Sequence, residues 1–489
     1  MSTKPNGSNA PNGSNGSKVG GKTRKKLGEK DEKDKRPEIH VSRHRIGDTI
    51  YEEVNFMHTA PMFLIKSKDS PNFRLDDRIE TDDAIYVPEL QPNLPFTLPL
   101  LDKETWLQLA EGKLIVKVQE VYDLIYDKYD VFLDLEGKYK VILTGGSMES
   151  YQQHKNNTVG YIFITGMPGS GKSRVLDVAS RVCYHPMYCA EANAANVYRF
   201  LGFDKENEAQ QTIIEDELNF SKKMDDEESA KYKIYRAGYR RGITVPRIEN
   251  AGSSEAVQRF YRAFDFKMFA GYTMHPKDKA FNRRNTETPI VEGDPMRDEL
   301  TLEDEPIFDE VRIKALIWRM QTYFDKNPDI DLPQLKGCTK EIWKPRILAV
   351  MGTDAEEVMK NLALENIKEK FEEKHEQLER YVVQVVLDLG CEFDWFPIPF
   401  PLIWNFLMKD FGTSAEASVE DCQSVDVQQL SQAVSKNAVG RILNSSLHGK
   451  YKVGKIGKDA DDKACRVWKF EQSHIERLAK SYQLSRREL

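Results

Sequence analysis

The period of hydrophobic and polar positions changes several times along this chain, and each change predicts an element. Tyr161-Ile-Phe-Ile-Thr165 is apolar at nearly every position, which predicts a strand buried on both faces. Arg174 to Val182 is free of Gly and Pro and predicts a helix. Upstream, Asp48-Thr-Ile-Tyr51, Pro61-Met-Phe-Leu-Ile65 and Ala84-Ile-Tyr-Val87, split by Asp, Asn and Pro, predict a small β-rich domain over 39–99. Pro92 to Pro99 reads as extended linker, because each proline disfavours helix in the residue before it. Helical spacing of apolar residues from Lys103 to Tyr129 predicts a helical lead-in over 100–150.

Downstream, Asn193 to Leu201 predicts a helix and Gln211-Thr-Ile-Ile-Glu-Asp-Glu217 a second buried strand that ends in acids. Thr244 to Ile248 and Arg259 to Phe264, around the polar turn Glu249 to Ser254, predict a β-hairpin, and Phe266 to Tyr272 a third strand. These elements define an α/β core over 151–300 with its site at the strands' C-terminal edge. Over 301–395, Asp309 to Phe324 and the span Asp354 to Leu389 predict helices, the latter one long helix. The aromatic run Phe393 to Phe400 marks a boundary. In 396–489, Val427 to Val434 and Val439 to Leu443 predict paired helices, followed by a hairpin from Lys450 to Ile456 and Cys465 to Phe470, the order of a winged helix.

Composition narrows the class. The chain has 489 residues, 40% of them apolar, enough for several cored domains. Its apolar runs are far shorter than the roughly 20 residues needed to cross a bilayer, so no membrane span is expected. Six scattered cysteines predict reduced thiols of a cytoplasmic protein, without a metal. Residues 1–38 read as a disordered basic tail. The net charge of -7 argues against nucleic acid until the distribution is read. From Asn437 to Leu489, lysines and arginines outnumber acids about two to one, and Lys450, Lys452, Lys455 and Lys458 lie on the expected wing, where they would track phosphates.

The candidate chemistry centres on Gly166-Met-Pro168-Gly169-Ser170-Gly171-Lys172-Ser173, a complete G-x-x-x-x-G-K-[ST] between strand and helix. Glycines let successive backbone N–H groups converge on phosphates. Lys172 would neutralise the β- and γ-phosphates of ATP, and Ser173 would hold Mg²⁺. Asp216 is the second candidate for the metal and Glu217 the base for the attacking water, with Glu215 and Asp216 as the alternative pair.

The succession of phosphate loop, acidic strand, Gly238-Tyr-Arg-Arg-Gly242, hairpin, strand and Arg283-Arg284 resembles the AAA+ ATPases near superfamily 3 helicases. It looks closest to P-loop helicase-like proteins of archaea and mobile elements, including the module fused to putative DNA primases. The resemblance implies an α/β fold with a P-loop AAA+ ATPase core, an N-terminal β-rich domain and a C-terminal winged helix. It implies that Thr273, or Tyr272, polarises the attacking water, and that Arg284 or Arg283 is an arginine finger acting on a neighbouring copy in a homo-hexameric ring. Such relatives carry Asp-Arg where this chain has Asn282-Arg-Arg284, which leaves the two arginines open. The hairpin would grip DNA, with Arg240, Arg241 and Arg247 as contacts, although Arg240 and Arg241 fit equally well as structural residues paired inside the fold. Arg346 is a sensor-2 candidate on the same basis. The implied activity is that of an ATP-dependent DNA helicase or translocase on nucleoid DNA, the alternative being a DNA-bound ATPase switch or replication-initiation factor without unwinding.

Overall fold

A computed structural model describes residues 36–190, 192–202, 211–218, 226–249, 256–274, 278–375, 378–392, 394–395, 397–408, 436–455 and 464–487. The expectations for the tail up to residue 35, the hairpin turn 250–254, the helix Val427 to Val434 and Lys458 lie outside these residues.

The chain opens with β1 (Glu38–Val41), β2 (Arg43–Ile46), β3 (Thr49–Phe56), β4 (Ala60–Ser67), β5 (Phe73–Asp76), β6 (Ile79–Glu80), β7 (Ile85–Pro88) and β8 (Leu100–Leu101). Strands β2 to β5 form an antiparallel meander with β8 added beside β3, and β1, β7 and β6 form a smaller sheet. This region has no separate principal core. Ile50, Val54, Leu64 and Phe73 belong to the same apolar cluster as the helices that follow. A buried ion pair also fastens the meander: Arg319 Nε lies 3.0 Å from Glu52 Oε1, and the Tyr184 hydroxyl donates to the same carboxylate.

Next come α1 (Lys103–Ala110), α2 (Val118–Phe132) and α3 (Gly137–Gln152). The expected lead-in is split in two because Gly112, at φ +68°, turns the chain after α1. Helix α3 is buried from Val141 to Gln152. Its Gly146 lets it lie against the central sheet, since a Cβ there would come 2.5 Å from Ile162 Cδ1.

The α/β core comprises β9 (Tyr161–Thr165), α4 (Lys172–Val182), β10 (Pro186–Ala190), α5 (Ala194–Leu201), β11 (Thr212–Asp216), α6 (Asp226–Ala237), β12 (Thr244–Glu249), β13 (Val257–Arg262), β14 (Phe266–Gly271), α7 (Lys279–Asn282) and β15 (Asn285–Pro289). Five strands pair in the order β10-β11-β14-β9-β15, all parallel. Both faces are covered. Ile162 and Ile164 point into the large cluster, while Tyr161 and Phe163 point into a second one with Val197, Ile234 and Phe269. Strands β12 and β13 form a separate antiparallel hairpin inserted between β11 and β14.

Helices α8 (Pro306–Thr322), α9 (Gly337–Ala349), α10 (Glu356–His375) and α11 (Leu378–Glu392) follow. The span expected as one helix is therefore two, and α11 packs in the C-terminal cluster with Trp468 and Ile475. There β16 (Ile398–Pro399), β17 (Lys450–Lys455) and β18 (Ala464–Lys469) form an antiparallel sheet ordered β16-β18-β17. Helices lie at 400–408, Lys436–Ser445 and Gln472–Ser481. Among the described residues no helix is long and apolar enough to cross a membrane.

Candidate functional site

Because the sheet is parallel, β9, β11 and β14 end at the same edge, and the candidate residues follow from that geometry. After Thr165 the chain turns at Gly166, where a Cβ would meet Ser170 Oγ at 2.5 Å and the Ile290 carbonyl at 2.6 Å. Gly169 and Gly171 have φ of +84° and +89°, a conformation that favours glycine. Gly171 sits at the N-cap of α4 with no side chain to satisfy the first N–H groups, which leaves them available to an anion. The Lys172 ammonium donates to the Gly166 and Met167 carbonyls, both at 2.9 Å, so its charge is held over the loop. Ser173 is exposed in the first turn.

Asp216 ends β11 half-buried, and Glu217 follows it exposed with φ +57°. Its N–H donates to Asp216 Oδ1 at 2.9 Å, and Leu218 N–H donates to the Ala270 carbonyl at 2.8 Å, which ties this turn to β14. Gly271 of β14 pairs with Thr165 of β9. The acidic pair thus lies one intervening strand from the glycine loop, about 10 Å between strand axes. Glu215 faces elsewhere. It is 1% exposed, receives the Lys231 ammonium at 2.5 Å and is bonded by the Tyr235 hydroxyl, so its carboxylate is committed to the fold. Tyr272 and Thr273 follow β14, exposed at the same edge. Thr165 Oγ1 donates to Glu287 Oε1 at 2.9 Å, joining β9 to β15 there. No sequence signal marked Glu287, because β15 reads Asn-Thr-Glu-Thr-Pro with no apolar pattern.

The arginines lie elsewhere. The Arg284 carbonyl accepts from Tyr161 N–H at the beginning of β9, so Arg283 and Arg284 stand at the opposite sheet edge from the loop, about 16 Å away along a five-residue strand. Arg283 is exposed, whereas Arg284 is half-buried with its guanidinium 4.2 Å from the Tyr239 ring centroid. Arg346 corrects the sensor-2 expectation. It is fully buried, 3.3 Å from Glu149 Oε2, and donates to Thr286 Oγ1 and the Gly160 carbonyl at the beginning of β9. Burial pushes the Glu149 carboxyl up to about 7 even against that cation.

Of the expected nucleic-acid contacts, Arg241 is also corrected. Its guanidinium donates to the carbonyls of Gln153, His154 and Asn156 and stacks over Phe264, closing the end of α3. Arg240 is exposed, and Arg247 is half-buried 5.4 Å from the Tyr198 ring centroid. Lys450 and Lys452 are exposed on β17, and Lys455 ends that strand.

Mg²⁺ prefers hard oxygen donors, and the Ser173 hydroxyl and Asp216 carboxylate supply them at one edge. Among the described residues no three His, Cys, Asp or Glu side chains gather as a metal group.

No protein-family model matches the chain, and no curated protein matches it. Among solved structures it is similar to the apo A form of the NrS-1 C-terminal region, residues 305–718 of that protein. The two are 12% identical, with 86% of this chain and 96% of that one covered, at a TM-score of 0.30. A superposition that loose assigns neither fold nor function.

Proposed function

We propose that this chain is a Mg²⁺-dependent ATPase of the AAA+ type that assembles as a ring and couples hydrolysis to movement on, or unwinding of, DNA. The observation that carries the reading is the glycine loop at the N-terminus of α4, one strand removed from Asp216 and Glu217 on an all-parallel sheet. The strand order supports it, with the loop strand β9 between β14 and β15 and the acidic strand beyond β14.

In this reading the amides of Gly169 to Ser173 and the Lys172 ammonium take the β- and γ-phosphate charge. Ser173 and Asp216 hold Mg²⁺, which bridges phosphate oxygens and offsets developing charge. Glu217 takes the proton of the attacking water, and Thr273 orients that water. Arg283, exposed at the far edge, serves the site of a neighbouring copy. The C-terminal sheet order β16-β18-β17, with the helix Lys436–Ser445 ahead of β17, supports a winged helix that meets DNA through Lys450, Lys452 and Lys455.

One observation favours the second reading, a DNA-bound ATP switch that does not unwind. Strands β12 and β13 contain no lysine and expose Ile248 and Phe260, at 64% and 52%, where a translocating hairpin would present cations. Strand displacement coupled to DNA-stimulated ATP turnover decides for the motor. Nucleotide-dependent assembly without displacement decides for the switch. Lys172→Ala should lower turnover by roughly 10²–10³-fold through loss of phosphate charge neutralisation. Near-normal turnover in that variant would sink the site assignment.

A further inference from the structure

The glycine loop opens onto a second space. A cleft of about 250 Å³ lies between the α2–α3 turn and the segment that follows β15, with Gly169 to Gly171 along one side. Its inner walls are apolar: Leu133 and Ile290 are 5% and 4% exposed, Leu135 is half-buried, and Val291 stands 79% exposed at the opening. Carboxylates line the mouth at Asp134, Glu292 and Asp298. The two segments are pinned to each other there. Asp134 Oδ2 accepts from Asp294 N–H at 3.0 Å, and a Cβ on Gly293 would come 2.8 Å from that carboxylate.

Two further details point to a ligand. Ser170 is 9% exposed and lines the cleft, and its hydroxyl has no hydrogen-bond partner among the described residues. Arg174, the lining cation, has its guanidinium turned onto the Arg297 and Asp298 carbonyls. Acceptors therefore dominate the mouth. A second anionic group would be repelled, so whatever extends from phosphates on the loop into this cleft is neutral. The apolar walls suit a flat ring. Carboxylates only accept, so the ring edge and its attached sugar must present donors.

We infer that this cleft holds the nucleoside half of the triphosphate and selects adenosine. The base lies between Leu135 and Val291, and the sugar hydroxyls and exocyclic amine face Asp134 and Glu292. Adenine carries an amine and no carbonyl, whereas uracil would turn carbonyls toward carboxylates. The inference rests on the phosphate-loop reading, and the two can fail separately.

Titration calorimetry on the full chain with Mg²⁺ separates them, using ADP, UDP and inorganic tripolyphosphate as ligands. The expected result is ADP bound at least about tenfold more tightly than UDP. Val291→Trp, at an exposed position, should weaken ADP by about tenfold or more while tripolyphosphate stays within about twofold; retained tripolyphosphate binding also certifies the fold. Lys172→Ala should weaken both. Equal affinity for ADP and UDP would overturn the base selection. Unchanged ADP binding in Val291→Trp, or loss of both ligands in it, would overturn the separate nucleoside cleft. Failure of the unaltered chain to bind tripolyphosphate would overturn the phosphate-loop reading instead.

Discussion

Burial without a partner makes Glu53 the residue whose charge this fold tolerates least. It lies on β3 with no exposed surface, and neither carboxylate oxygen has a hydrogen-bond partner among the described residues. Burial raises its pKa from 4.5 to about 8. The folded state therefore binds a proton that the unfolded chain releases. The stabilisation is full below 4.5 and is lost as the pH climbs through about 8, at about 1.4 kcal/mol per unit. Thermal unfolding followed from about pH 5 to pH 9 should show a falling midpoint that Glu53→Gln flattens; parallel curves for the two proteins would show that the carboxyl stays hydrated. Residues of this kind define what the sequence conceals. Alternation along β11 shows that Glu215 and Asp216 face opposite ways, but not that Lys231 and Tyr235 wait on one side. Arg241 and Arg346 stand where a resemblance places functional arginines, yet exposure is a tertiary property, and the fold uses both to close carbonyls and carboxylates.

At the scale of elements, Gly238-Tyr-Arg-Arg-Gly242 is a joint between α6 and β12. A Cβ on Gly238 would collide with the Ala263 carbonyl and come 2.6 Å from Lys267 Nζ. Tyr239 receives Arg284, Arg241 closes α3, and Gly242 turns the chain at φ +86°. Gly238→Ala should therefore destabilise the protein by about 1–3 kcal/mol, because backbone must move. Arg240→Ala, on an exposed side chain, should stay within about 0.5 kcal/mol. Denaturant titration of both variants checks this, and an unaffected Gly238→Ala would remove the close approach as the reason for the motif. Strands with a hydrophobic signature, β9, β11 and β14, were legible. Strands β10 and β15 were not, since they flank the sheet and read Pro-Met-Tyr-Cys-Ala and Asn-Thr-Glu-Thr-Pro. Edge strands bury less and need fewer apolar residues, so periodicity has little to register.

For the whole molecule, the decisive relation is between the two edges of the parallel sheet. The phosphate loop lies at one and Arg283 at the other, about 16 Å apart along a five-residue strand. Within one chain Arg283 cannot reach a γ-phosphate held by Lys172, so any catalytic role must be exercised on another copy. Arg284 is the poorer candidate because its guanidinium already rests on Tyr239. The shared cluster that runs from Ile50 to Ala363 makes the N-terminal meander and the loop strand one cored unit. Sequence spacing cannot reveal that joining, because the strands and helices meet only after folding. Arg283→Ala should reduce ATP turnover by roughly 10³-fold or more while leaving ADP affinity unchanged, the pattern of a group that acts on transition-state charge. Glu217→Gln should be equally inactive for the opposite reason, lacking the base but presenting an intact arginine. In a ring, mixing the two inactive proteins creates interfaces where an intact Glu217 meets an intact Arg283, and turnover should reappear in proportion to those interfaces. Mixtures as inactive as their components would exclude Arg283 as a finger in trans. Full activity in Arg283→Ala alone would return the assignment to Arg284.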